Sequence, residues 1–144
     1  MSVREDNVRL WLRLLSSARI IEKRVQRGLA EQFDTTLPRF DVLATLERAD
    51  APMTMSELSR ALLVSNGNVT GIVRALERGG HVELRPGKED RRVSQVSLTA
   101  SGRAYFRKLA EAHHGWIDAM LGQLPPGTRT RLDADLAALK TALS

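Results

Sequence analysis

Residues 62–80 read LLVSNGNVTGIVRALERGG, and this stretch is the most informative part of the sequence. Its second half has the spacing of an amphipathic helix, whereas its first half carries two Asn and two Gly, which weaken a helix. On a wheel of about 100° per residue the two kinds of residue separate onto opposite faces. The apolar face holds Val69, Ile72, Val73 and Leu76, and the other face holds Gly67, Thr70, Gly71, Arg74 and Arg78.

Glycine on the outer face of a helix costs up to about 1 kcal/mol relative to alanine. Close approach of the helix backbone to another surface would offset that cost, because glycine adds no bulk. Uncharged polar side chains lie near the start of this helix, and they are Ser65, Asn66, Asn68 and Thr70. Arg74 and Arg78 can reach phosphates or a guanine edge. The mixture suits a helix in the DNA major groove; the alternative is that Asn and Gly reflect only capping and a tight turn.

A second helix precedes this one at helix-turn-helix spacing. Thr54 and Glu57 form a predicted capping box, with Thr54 as the N-cap. The helix that follows is expected to turn Leu58, Ala61 and Leu62 inward. About three residues then connect it to the next helix, for which Ser65 is a good N-cap. That next helix ends at Gly79-Gly80.

A charged β-hairpin is predicted after the second helix. Residues 82–85 and 93–98 favour strands, and residues 86–92 form the tip between them. Lys88, Arg91 and Arg92 at the tip can reach a minor groove or phosphates. Two alternatives remain: a solvated loop, because Glu89 and Asp90 nearly balance the charge, or a structural Asp90 that holds an arginine in place.

Long apolar stripes mark both ends of the chain. Residues 8–33 are predicted to be one helix, Pro38 begins the next, and a further helix runs from Thr99 to about Leu124 before a last helix after residues 125–127. The stripes of the first and the fifth helix suit partner helices. They comprise Trp11, Leu14, Leu15, Ala18, Ile21, Val25 and Leu29, and Phe106, Leu109, His113, Trp116, Ile117, Met120 and Leu124.

Composition excludes several classes of protein. The chain of 144 residues has a net charge of +5, which favours an anionic partner only mildly, and it has no Cys. His81, His113 and His114 do not form a metal-ligand pattern, and no catalytic set or phosphate loop is visible, so neither an enzyme nor a cofactor is expected. With no signal peptide or transmembrane segment in the sequence, a cytoplasmic protein without a membrane partner is expected.

The segment MTMSELSRALLVSNGNVTGIVRALERGGHVELRPGKEDRRVSQVSLTASG, residues 53–102, resembles the MarR family of transcriptional regulators. Its most specific part is Asp90-Arg91-Arg92 followed by residues 98–102, LTASG, which matches that family's D-x-R…L-T-x-x-G signature. The long helices on either side extend the resemblance over nearly the whole chain. The absence of Cys excludes the mechanism of the family's peroxide-sensing branch.

The resemblance implies a mainly α fold with a small β-hairpin wing: a winged helix-turn-helix at about 37–99, with dimerisation helices at about 1–36 and 100–144. It implies a homodimer that reads a pseudo-palindromic operator in double-stranded DNA. It places Arg92 in the minor groove, oriented by Asp90. The DNA-contacting residues expected in all are Ser65, Asn66, Asn68, Thr70, Arg74, Lys88, Asp90, Arg91 and Arg92.

The flanks LWLRLL and FDTTLPRFDVLATLER resemble family members tied to the degradation of aromatic carboxylic acids, some of which respond to the CoA thioester. The resemblance therefore implies a repressor released by such a ligand. Candidate pocket residues are Trp11, Arg39, Phe40, His113 and Trp116. The structural alternatives are a core or dimer-interface position for the two Trp, a hydrogen-bonded core position for His113, and a role in helix capping or in pairing near Asp41 for Arg39. The alternative function is a winged-helix protein-interaction module without DNA binding.

Overall fold

Six helices and three short strands make up the part of the chain that the computed structural model describes, residues 2–62 and 66–144. In chain order they are α1 (Val3–Phe33), α2 (Leu37–Ala49), β1 (Met53–Thr54), α3 (Met55–Leu62), α4 (Asn66–Arg78), β2 (Val82–Pro86), β3 (Ser94–Leu98), α5 (Ala100–Leu121) and α6 (Pro126–Leu143). The predicted mainly α fold with a small β wing is confirmed.

Local capping residues determine where the helices begin. The predicted capping box of α3 is present: Glu57 N–H donates to Thr54 Oγ1 at 3.1 Å, and Thr54 N–H donates to Glu57 Oε1 at 3.4 Å. A second capping box, formed by Ser2 and Glu5, starts α1 at Val3. The predicted start of this helix at residue 8 was therefore wrong, because Ser2 satisfies the first free N–H groups before the apolar stripe begins.

The sheet is antiparallel, with the strand order β1-β3-β2. The predicted hairpin is confirmed: β2 pairs with β3 so that Leu84 lies opposite Val96, which is fully buried. Strand β1 was not predicted. It has only two residues, and Met53 pairs with the other side of Val96. The hairpin is thereby attached to the segment that leads into α3.

The core gathers buried side chains from both ends of the chain and from the winged region. Leu29 of α1, Leu43 of α2 and Leu109 of α5 are completely buried. They pack in one cluster with Leu58 of α3 and with the inner face of α4. Ala61, which was expected to turn inward, is exposed. The core therefore holds α3 and α4 against α2, and α2 against the long helices.

The first turn of α5 is joined directly to the residues that follow α4. Thr99, its N-cap, donates through its N–H to the His81 carbonyl at 3.1 Å and through Oγ1 to the Gly80 carbonyl at 2.7 Å. Gly102 is buried against the same backbone, and a Cβ there would overlap the His81 carbonyl oxygen. The Thr and Gly of the L-T-x-x-G segment therefore attach α5 to the end of α4.

The first half of α1 and nearly all of α6 pack on little else within the chain. Leu10 of α1 is 64% exposed, and Leu132 and Leu136 of α6 are 43% and 40% exposed. Helix α5 ends at Leu121, earlier than the predicted Leu124.

A search of the described residues for membrane-spanning helices finds none with enough length and hydrophobicity.

Candidate nucleic-acid interface

Helix α4 has one face in the core and one face open to solvent, as its sequence predicts. Val69 and Val73 are completely buried. On the opposite face, a Cβ added at Gly67 or at Gly71 would meet no atom within 4 Å. Neither glycine is therefore required for packing inside the protein. Among the residues that the structure describes, nothing offsets the conformational cost of Gly71 in the middle of a helix.

Two of the predicted polar residues are described on the solvent side of α4. Asn68 and Thr70 are exposed. Asn66 is the first residue of α4, and Ser65 lies outside the described residues. Helix α4 therefore presents uncharged hydrogen-bonding groups from its N-terminal half, which is the half that a recognition helix inserts into a major groove.

Arg74 continues the outer face and is held by a neighbour that sequence reasoning did not single out. Its Nη1 donates to Glu77 Oε1 at 3.1 Å, and the two side chains are 52% and 38% exposed. Three residues separate them, a spacing that brings opposite charges together on a helix. The sequence shows this spacing of Arg74 and Glu77, but the ion pair was not predicted from it.

The tip of the wing is a compact turn that depends on Gly87. Gly87 N–H donates to the Val93 carbonyl at 2.8 Å, and Val93 N–H donates to the Asp90 carbonyl at 3.1 Å. A Cβ at Gly87 would lie 2.6 Å from the backbone carbonyl oxygen of Asp90, which is closer than Cβ atoms approach in real structures. Gly87 therefore permits the turn that presents residues 88–92.

Asp90 holds Arg92 within this turn. This is the structural role for Asp90 that the sequence analysis gave as an alternative. The Arg92 side chain donates from Nε to Oδ1 at 3.1 Å and from Nη2 to Oδ2 at 3.3 Å, and its backbone N–H donates to Oδ1 at 3.0 Å. These hydrogen bonds lower the pKa of the Asp90 carboxyl, the side-chain bonds most. The Arg92 side chain is nonetheless 91% exposed. Lys88 and Arg91 are also exposed, and neither has an ion pair among the residues that the structure describes.

Two of the five predicted ligand residues are in contact. The rings of Phe40 and His113 stack with centroids 4.7 Å apart, and Phe106 lies 5.6 Å from Phe40 on another side. Burial lowers the pKa of His113, and the charge of His114 adds to this effect. The sequence suggested a hydrogen-bonded core histidine at position 113. In the described part of the chain, His113 instead stacks on Phe40 and makes no side-chain hydrogen bond.

Trp116 and Trp11 are not part of this stack, and Arg39 directly precedes Phe40 in the chain. Trp116 packs edge-on against Phe33 at 6.4 Å and covers Gly28, so within one chain it belongs to the contact between α1 and α5. Arg39 has no ion pair in the described part of the chain. Trp11 is 53% exposed. It lies about 22 Å along α1 from Gln26, whose side chain accepts a hydrogen bond from the N–H of Leu37, the first residue of α2. One protomer therefore does not bring Trp11 to Phe40.

An open hollow of about 730 Å³ lies beside α5 and is lined by His113 among the predicted residues. Its other lining residues come from α5, the α5–α6 corner and α6, among them Ile117, Leu121 and Arg129.

Asp41 lies on α2 and does not line this hollow. Burial raises the pKa of its carboxyl, and the nearby charge of Glu22 raises it further. Asp41 and Arg39 are two residues apart on a helix and therefore point in different directions.

Helices α3 and α4, with the β2–β3 hairpin beside them, define a winged helix-turn-helix protein. The chain matches the MarR family over residues 33–93. It is 36% identical to the transcriptional activatory protein BadR of Rhodopseudomonas palustris over 105 residues, which cover 72% of this chain and 59% of BadR. The chain belongs to the MarR family, and BadR is named as a protein that activates transcription rather than as an enzyme.

Solved structures agree over the full length. A MarR family transcriptional regulator from Silicibacter pomeroyi superposes with a TM-score of 0.83 at 29% identity, with both chains covered completely. MepR of S. aureus, solved as a DNA complex, superposes with a TM-score of 0.75 at 22% identity over 93% of this chain and 96% of its own. The fold therefore extends beyond the winged region to the outer helices. The matched stretch of sequence spans less than two thirds of BadR.

Proposed function

We propose that this protein is a dimeric regulator of transcription that binds double-stranded DNA through α4 and the wing. The observation that carries the proposal is the outer face of α4, where Gly67 and Gly71 face open space while the opposite face is in the core. The wing adds Arg92, exposed and held in one orientation. The MepR–DNA complex shows that a protein of this fold binds DNA.

Binding to selected genomic fragments tests the proposal. Fragments enriched by the purified protein are labelled, and their affinity is measured by fluorescence anisotropy at several salt concentrations. We expect tight binding to a pseudo-palindrome and an affinity that falls steeply with salt, because contacts to phosphates release counterions. Equal affinity for enriched and random fragments would refute sequence-specific binding.

The proposed dimer uses the exposed apolar residues of the terminal helices, so that about residues 1–36 and 100–144 form the dimerisation region and about residues 37–99 the DNA-binding region. Leu10 and Leu136 are examples of large apolar side chains that a separate chain would leave in water. Light scattering at micromolar concentration should give twice the chain mass. A folded monomer would contradict the proposal.

The winged-helix interaction module is the less favoured alternative. It predicts an acidic or apolar outer face on α4, whereas the exposed residues there include Thr70, Arg74 and Arg78. Glu77 is half-buried and paired. Failure to bind any DNA, together with an intact fold, would favour this alternative.

For the effector we propose a small aromatic acid or its CoA thioester, bound near the Phe40–His113 stack. The stack and Phe106 supply aromatic surface, and Arg39 supplies a cation without an ion pair in the described ranges. A thermal-shift screen of aromatic acids and acyl-CoA thioesters tests this, because a ligand that binds only the folded state stabilises it by RT ln(1 + [L]/Kd). A hit should lose its effect in His113→Ala. A hit that shifts this variant equally would place the site elsewhere.

For the sign of regulation we propose repression relieved by the effector, as expected from the resemblance. BadR, by its name, activates transcription. A promoter fusion in a strain without the regulator distinguishes the two. Repression predicts a rise in reporter expression upon deletion, and activation predicts a fall.

A further inference from the structure

Two kinds of cation face outward from α4 and the wing. Arg74, Arg85 and Arg92 each have a carboxylate on the same element or turn, Glu77, Glu83 and Asp90, and each pair has its closest approach at 3.1 Å. A second set has no ion pair among the residues that the structure describes, and it comprises Arg78, Lys88 and Arg91. The paired set includes Arg74, the arginine at the centre of the outer face of α4.

The carboxylate of Glu77 occupies only one side of the Arg74 guanidinium. The hydrogen bond uses Nη1, and within the described ranges Nε and Nη2 have no acceptor. Nε–H and one Nη2–H point in the same direction, so the free edge is a two-donor edge. A two-donor edge of this kind matches the O6 and N7 acceptors of guanine.

The same carboxylate disfavours the competing use of Arg74. A phosphate that approached Arg74 would come close to the negative charge of Glu77, whereas a guanine edge carries no net charge. The carboxylate also restricts a long side chain that would otherwise sample many rotamers, so less conformational freedom is lost on binding. Exposed ion pairs contribute little to folding stability, so stability alone does not account for the pair.

We propose that Glu77 is a positioning residue that reserves Arg74 for a guanine in each half-site of the operator, an inference that rests on the proposed DNA-binding function. The unpaired Arg78, Lys88 and Arg91 then supply contacts to phosphates. Sequence discrimination and general attraction to DNA are thereby assigned to different cationic side chains of one surface.

The experiment compares Glu77→Gln with wild type on the selected operator, on operators in which each guanine is replaced by adenine, and on random DNA. The glutamine keeps an oxygen acceptor but removes the charge. We expect discrimination at one guanine per half-site to fall about fivefold or more, and random DNA to bind about twofold to tenfold more tightly. Glu31→Gln, an exposed site on α1 with the same change of charge, should alter neither quantity.

A double-mutant cycle identifies the partner. Arg74→Ala should lose discrimination at the same guanine, and adding Glu77→Gln to Arg74→Ala should change that position no further. Thermal melts of each variant verify the fold. Unchanged discrimination in Glu77→Gln, or an Arg74→Ala variant that weakens all DNA equally, would overturn the inference while the DNA-binding function stands. A wild-type protein that prefers no sequence would overturn both.

Discussion

Replacing Gly71 with alanine is expected to stabilise the free protein and to weaken its binding to the operator. Gly71 lies inside α4, and a Cβ there would meet no atom within 4 Å. The substitution therefore brings no steric penalty from the part of the chain that the structure describes. Alanine is the better helix former, and it also restricts the unfolded chain, so the gain is about 0.5–1 kcal/mol. In a domain of this size, 1 kcal/mol raises Tm by about 2–4 °C.

The effect on DNA binding has the opposite sign. If the backbone of α4 approaches the groove at Gly71, the added methyl group occupies that space and displaces a contact. A good contact to a base is worth about 1–3 kcal/mol, which corresponds to about fivefold to 150-fold in affinity. Fluorescence anisotropy with the selected operator measures this loss.

Gly115→Ala is the matched control for this variant. Gly115 is exposed inside α5, and a Cβ there also meets nothing within 4 Å. It should raise stability to a similar degree and leave operator affinity unchanged, with light scattering to verify the oligomeric state. A Gly71→Ala variant with a lower free energy of unfolding would contradict the hypothesis that this face of α4 contacts DNA. A variant with a higher free energy of unfolding and an unchanged operator affinity would contradict it as well.

Arg92→Ala should weaken operator binding about tenfold. Tm should stay within about 1 °C, because the side chain is 91% exposed and an exposed ion pair such as the one with Asp90 contributes little to stability. Anisotropy and a melt measure the two quantities, and unchanged affinity would remove Arg92 from the interface. Gly28→Ala should lower the free energy of unfolding by about 1–3 kcal/mol, since its Cβ would lie 2.6 Å from the ring of Trp116, and a neutral urea melt would contradict that packing. Burial lowers the pKa values of His81 and His113 in the folded state. Their contribution to stability is therefore present above about pH 6.5 and is lost as the pH falls through the lowered folded pKa values; urea melts between pH 8 and 5 that show no decrease would refute this.

The elements that were predicted correctly depend on residues close together in the chain. The capping box of α3 needs only Thr54 and Glu57, and the two faces of α4 follow from its own periodicity. The orientation of Arg92 by Asp90 is equally local, because two residues separate them. Such features are set by backbone geometry and short-range hydrogen bonds, which the sequence displays directly.

The features that were missed depend on distant partners. Strand β1 exists because Met53 reaches the free edge of β3 beside Val96, and its own two residues carry no strand pattern. Spacing along α2 and α5 did not show that Phe40 would stack on His113 while Trp116 packed over Gly28. Which apolar residue meets which across two helices is decided by how the helices cross and pack, and periodicity alone specifies only the face.

Because the start of α5 is attached to the residues that follow α4, a movement of one helix is expected to displace the other. Thr99 and Gly102 hold the start of α5 against the Gly80–His81 backbone, so we expect a tilt of α5 to move the end of α4. Helix α5 has 22 residues and is about 33 Å long. A tilt of about 5° over that length displaces one end by about 3 Å, which is close to the rise of about 3.4 Å per base pair. If α4 is the recognition helix, as proposed, a tilt of a few degrees in α5 is enough to shift it by about one base pair along the DNA.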